Sequence, residues 1–134
     1  MNWQIRFTYI SLFIVGIILL IIGTSYVVNA SSTSSLIVSL LVIAIGILDI
    51  IAAYFILRLK TFGRKLGLIV SYLGVLPGQS FILGSPFVFL LFSDKLRESF
   101  PLVSIVVPIA FFILVFLFNI IILLKKENKE LFTR

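Results

Sequence analysis

The sequence predicts an all-α fold: a polytopic transmembrane helix bundle with three full spans and a long third segment broken at residues 77–80. Three observations carry this. Hydrophobic side chains make up 61% of the 134 residues. They fall into four apolar runs, at 7–28, 36–57, 66–92 and 102–124. The eleven Lys and Arg and five Asp and Glu sit between these runs or at the ends, with the single exception of Asp49. The polar stretches at 58–65, 93–100 and 125–134 are too short to build a soluble core. Residues 1–134 therefore read as a single membrane-embedded domain, with helices near 7–28, 36–58, 62–76, 81–98 and 101–127.

The first run has 22 residues, about 33 Å as helix against a hydrocarbon core of about 30 Å. Trp3 and Arg6 precede it, an aromatic interfacial anchor and an inside-facing charge. Val28-Asn29-Ala30 loosely fits a cleavage site, but the run exceeds the apolar region of a typical signal peptide, so an uncleaved span is expected. Residues 29–35 are polar and uncharged, as suits an outer loop. Asn29-Ala30-Ser31 matches the glycosylation sequon but abuts the membrane, where a transferase has poor access. The second run ends in Arg58-Leu59-Lys60-Thr61-Phe62-Gly63-Arg64-Lys65, whose four positive charges mark an inside loop. That places the amino terminus inside as well, and the expected location is the cell membrane.

The third run has 27 residues, about 40 Å as helix, too long for one straight span and too short for two. Pro77-Gly78-Gln79-Ser80 and Gly84-Ser85-Pro86 interrupt it. One broken span would leave nine Lys and Arg inside and two outside; a hairpin would leave seven and four. The positive-inside rule taken alone prefers the single span. In the fourth run Pro101 suits a first-turn position with Ser99 as a cap, and Pro108 is expected to kink the outer half unless neighbours satisfy the freed carbonyl. The tail Lys125-Lys126-Glu127-Asn128-Lys129-Glu130 is expected to continue as a short exposed helix.

Arg64-Lys65, an apolar stretch, Pro77-Gly78-Gln79-Ser80, Gly84, a second apolar stretch and Ser93-Asp94-Lys95-Leu96-Arg97-Glu98-Ser99-Phe100 form a recognisable order. It resembles a pattern in small uncharacterised prokaryotic multi-span membrane proteins: basic loop, Pro-Leu-Gly-Thr, Leu-Gly, Ser-Pro-Glu-Val-Arg and a closing Phe. Gln79-Ser80 stands in place of Gly-Thr, and Asp94-Lys95 in place of Pro-Glu. The resemblance covers residues 62–100 and implies no activity and no functional residues. It does imply a segment with basic flanks at both ends. With the run length and the two breaks, it tips the balance slightly toward a short hairpin over one kinked span, which would leave the carboxyl terminus outside.

Composition narrows the chemistry. With no Cys and no His, thiol exchange, thiolate metal sites, imidazole ligation and Ser–His hydrolysis are all removed. Four of the five acids lie outside the runs, so a carboxylate-rich metal site is not expected, nor any cofactor or enzymatic activity. The net charge of +6 comes from residues flanking apolar runs, where they face lipid head groups; no nucleic-acid module accompanies them.

Asp49 is the foremost candidate. A carboxylate deep in a bilayer costs roughly 2.5–3.5 kcal/mol on insertion scales, so it faces protein or water. Helical spacing puts it on one face with Ser39, Gly46 and Ala53, a small polar stripe suited to close helix packing. It is either a proton- or cation-binding group or a fastener between helices, and the thin supply of polar neighbours favours the fastener. Candidate partners are Ser25, Tyr26, Ser71 and Tyr72, with Gln79, Ser80 and Asn119 foremost. The break at residues 77–80 could line a cavity, as in discontinuous transporter helices, but a buried tight turn is the simpler expectation. Gly63, Gly67, Ser71, Gly74 and Gly78 recur every three or four residues and form a small-residue packing seam. Together these features predict a non-catalytic accessory or structural subunit that meets the lipid bilayer and other membrane subunits or copies of itself. The alternative is a small oligomeric transporter or channel using Asp49.

Overall fold

A computed structural model of the chain describes residues 3–75, 82–84, 86–87 and 93–132. The protein is all-α. In chain order the helices are α1 (Trp3–Val28), α2 (Thr33–Leu57), α3 (Thr61–Val75), α4 (Asp94–Ser99), α5 (Pro101–Leu124) and α6 (Lys126–Lys129). Residues 82–84 and 86–87 are also helical. Helices α1, α2 and α5 are long and apolar enough to cross a membrane, the mark of an integral membrane protein. At about 22 Å, α3 is too short to do so alone.

The helix ends show how local chemistry extends the apolar runs. Ser32 lies in extended conformation with φ −146°, and its hydroxyl accepts from the Ser35 N–H at 3.2 Å. That cap starts α2 at Thr33, inside the stretch that reads as loop. The Asn29 amide donates to the Ser25 carbonyl at 2.9 Å and closes the end of α1. After α2 the chain reverses within three residues. Lys60 N–H donates to Phe55 O at 3.0 Å and Leu59 N–H to Ile56 O at 2.9 Å, the paired bonds of a Schellman motif. Leu59 takes the left-handed position (φ 54°) where glycine is usual. Its side chain packs against the core, which offsets a backbone cost of about 1–2 kcal/mol.

The tight turn delivers α3 antiparallel to α2, with Gly63 against the backbone of Phe55 and Ile56. Helix α1 also runs antiparallel to α2: Gly16 meets Gly46 and Ile50, and Gly23 meets Ser39 and Ile43. Helix α5 closes the bundle. Gly74 of α3 sits on the Phe116 ring, and Asn119 bonds to Ser11 of α1. Leu12, Leu19, Ile56, Val70, Phe116 and Leu123 meet in the core, each fully buried or nearly so. Chain direction alternates α1 up, α2 down, α3 up, α5 down.

This path corrects the slightly favoured hairpin. The last two turns of α5 lie beside the first turns of α1: Phe118 packs on Trp3 and Phe7 at 6.3 and 5.1 Å between ring centroids. Asn128 Nδ2 donates to Gln4 Oε1 at 2.9 Å. Both terminal segments therefore share one end of the bundle, with the 58–65 loop, and residues 93–100 lie at the other. Among the described residues eight Lys and Arg occupy the first end, and Lys95 and Arg97 the second. Arg97 is paired with Asp94 within α4. The partition is that of a single traverse, the arrangement the charge count alone prefers.

Two further corrections concern boundaries. The helix expected over 81–98 is interrupted at Ser93, which is non-helical and whose hydroxyl accepts from the Leu96 N–H at 3.3 Å, starting α4 anew. The last helix does not run unbroken to 127, because Lys125 swings to ψ 130° and α6 begins after it. Nor is the tail wholly exposed: Asn128 and Phe132 are buried. Phe100, not Ser99, occupies the N-cap of α5, without a side-chain bond. The helix continues through Pro108, where Gly84 approaches the backbone of Pro108 and Ile109.

Because the chain has no native cysteine, its path can be mapped by single replacements. Lys60→Cys and Lys129→Cys are expected to react with an impermeant maleimide from one side of sealed vesicles, and Ser31→Cys and Lys95→Cys from the other. Labelling of Lys129→Cys together with Ser31→Cys would restore the hairpin.

Candidate functional site

Asp49 is held where α1 and α2 come closest. On α2, Ser39, Val42, Gly46, Asp49, Ala53 and Ile56 are buried, a run of steps of three and four that turns one face inward. The small members let backbones touch. A Cβ on Gly46 would stand 3.0 Å from Gly16 O, and one on Gly16 would stand 2.8 Å from Gly46 O and 3.3 Å from Asp49 Cβ. The Asp49 carboxyl thus starts beside the Gly16 backbone and is fully buried.

Neither of its oxygens has a hydrogen-bond partner among the described residues. The Ser71 hydroxyl of α3 shares this condition and is also fully buried. The register places the two at similar depth. Counting two turns forward along α3 and two back along the antiparallel α2 from the contact of Gly63 with Phe55 and Ile56 brings Ser71 level with Asp49. Gly67, one turn below Ser71, approaches Leu12, one turn below Gly16, and gives the same level. A buried polar group left unpaired costs about 1–3 kcal/mol. Two at one depth are a feature of the site.

The possible partners of Asp49 fare differently. Gln79, Ser80 and Gly78, with the break at 77–80, lie outside the described residues. Asn119 is buried on α5 and turns to α1: its Nδ2 donates to Ser11 Oγ at 3.0 Å. In that arrangement Ser11 sends its single proton to Thr8 O at 2.9 Å. The rest of the seam, Gly63, Gly67, Ser71 and Gly74, is buried along one face of α3. Gly63 abuts α2 backbone, and Gly67 meets the methyl ends of Ile56 and Leu123.

Several working polar residues escape sequence reasoning. Ser11 lacks any pattern to mark it as the Asn119 partner. Arg64 reads as one more loop charge, yet its Nε donates to Leu123 O at 2.8 Å and caps the end of α5. Asn128 donates to Ile122 O at 3.0 Å as well as to Gln4. Its one available signal is a lone amide in a charged tail.

Two described cavities on the membrane-facing surface are apolar grooves. One of about 360 Å³ lies between α1 and α2, lined by Ile10, Phe13, Ile50 and Tyr54 with Ala53 beneath. Another of about 390 Å³ lies between α1 and α5, lined by Ile14, Ile18, Phe87 and Phe111. Asp49 lines neither. No group of acids able to hold a metal ion forms among the described residues. Comparison with family models, with curated proteins and with solved structures gives no match.

Two measurements check this geometry. Gly63→Ala is expected to destabilise the bundle by about 1–3 kcal/mol in detergent unfolding, because the new methyl meets backbone that cannot yield. Gly67→Ala should cost distinctly less, since side-chain ends can move aside. A double-mutant cycle of Ser11→Ala and Asn119→Ala should give a coupling of about 0.6 kcal/mol and no more than about 1.7.

Proposed function

We propose that the protein is a non-catalytic, multi-pass accessory subunit that packs in a cell membrane beside other membrane subunits. The observation that carries this reading is how three polar side chains between the helices are used. Asn119 joins α5 to α1, Arg64 joins α3 to α5, and Asn128 joins the tail to α1. Each spends its hydrogen bonds on holding helices together, as polar groups do in bundles without another task. The outer faces of α1, α2 and α5 carry large exposed apolar side chains, among them Ile21, Leu41 and Leu114, which suit lipid or a neighbouring helix. The concentration of Lys and Arg at one end supports placing that end, with the amino terminus, inside.

Purification of the intact chain in mild detergent should bring down a second membrane polypeptide in fixed stoichiometry. A clean homo-oligomer or a monomer would count against the proposal.

One observation favours a second reading. The unpartnered oxygens of Asp49 and Ser71 at one depth are what a proton or cation site in a small transporter or channel would need. In liposomes, Asp49→Asn should then abolish cation- or proton-coupled flux while assembly stays intact. If the substitution weakens assembly and no flux is seen with the wild type, the carboxyl is a fastener.

A further inference from the structure

The groove between α1 and α2 ends at the basic face of the bundle. Its walls are two helical stripes: Ile10 and Phe13 on α1, Ile50 and Tyr54 on α2, with the small side chain of Ala53 as the floor. Both stripes continue into an arginine. Arg6 lies one turn before Ile10 and Arg58 one turn after Tyr54, the spacing that keeps residues on one face. Each is exposed. The Arg58 guanidinium is held over the Tyr54 ring, 5.5 Å from its centroid, an arrangement that fixes a cation at the mouth of the groove. Arg64, by contrast, is spent on the end of α5.

We infer that this groove is a binding site for one anionic phospholipid, its acyl chain along Ile10, Phe13 and Ile50 and its phosphate between Arg6 and Arg58. Charge complementarity selects this occupant. An apolar trough alone would take any acyl chain or an apolar helix, but two cations closing its head-group end complement a lipid with net negative charge. Guanidinium groups pair with phosphate oxygens in bidentate geometry. The depression at Ala53 gives the chain a seat that the flat outer face of a helix lacks. The inference requires the bundle to lie in a bilayer and is independent of any partner subunit, so its failure leaves the accessory reading standing.

Native mass spectrometry of the full chain, in detergent with equal amounts of phosphatidylglycerol and phosphatidylcholine, tests it. The wild type should retain one phosphatidylglycerol in preference to phosphatidylcholine by about thirtyfold, as two basic contacts imply. The Arg6→Gln, Arg58→Gln double variant, altered at exposed positions, should lose that preference. The Lys125→Gln, Lys126→Gln double variant, at the same end on other helices, should keep it. Glycerol phosphate, which has the anionic head without chains, should not displace the lipid. Equal retention of both lipids by the wild type would overturn the proposal. So would an equal loss in the lysine variant, or displacement by glycerol phosphate.

Discussion

The backbone contact of Gly16 with Gly46 is the constraint on which the rest of the bundle depends. Between helices in lipid the hydrophobic effect supplies no net attraction, so association rests on close van der Waals contact and on polar bonds. Two facing glycines let α1 and α2 approach until carbonyl oxygens meet the opposite backbone. That approach sets the separation of the first pair, and the three-residue Schellman turn then lays α3 against α2 with Gly63 at its backbone. Helix α5 is received on the small-residue face of α3, where Gly74 admits the Phe116 ring. Each addition needs the surface made by the one before it.

The polar fasteners follow a pattern of depth. Arg64 to Leu123 O and Asn128 to Gln4 and Ile122 O sit at the basic end, where helix termini leave carbonyls and amides in need of partners. Asn119, one turn before Leu123, and Ser11, two turns after Gln4, lie deeper and join α5 to α1. Asp49 and Ser71 lie deeper still and have no partner among the described residues. Pairing is densest where water and head groups could have supplied bonds anyway, and it thins where an unpaired group is most costly. A bundle concerned with stability alone would show the reverse order, which is why the deep pair keeps a second functional reading alive.

Much of the architecture was legible because it rests on periodicity and length. The apolar runs announce α1, α2 and α5, and the spacing of Gly63, Gly67, Ser71 and Gly74 announces the buried face of α3. What the residues do not announce is partner choice. Asn119 shows an unmet need for hydrogen bonds but no direction, and Ser11 on another helix satisfies it 108 positions away. Gly16 is inconspicuous in its run, because its role exists only once Gly46 is opposite. Residues 93–100 misled for a related reason. Their Lys95 and Arg97 resemble an inside flank, but Asp94 and Glu98 balance them, and Arg97 pairs with Asp94 within its own helix. The resemblance casts Lys95 and Arg97 as a basic flank and so gives that segment an inward pull that its local pairing cancels, whereas the full cation count already prefers the single traverse.

The same reasoning refines the meaning of the +6 charge. A charge tally treats every residue at the basic end as free to face head groups. The structure divides them. Arg64 is half-buried and committed to the carbonyl end of α5, where the helix dipole and the unpaired carbonyls favour a cation. Arg58 is turned onto Tyr54 at the wall of the α1–α2 groove. Lys125 and Lys126 stand exposed where the chain turns into α6. Orientation in the membrane depends on the sum, but recognition depends on where fixed cations meet a shaped apolar surface. In this bundle that coincidence occurs at the mouth of the α1–α2 groove, built on the same helix pair whose glycines set the fold.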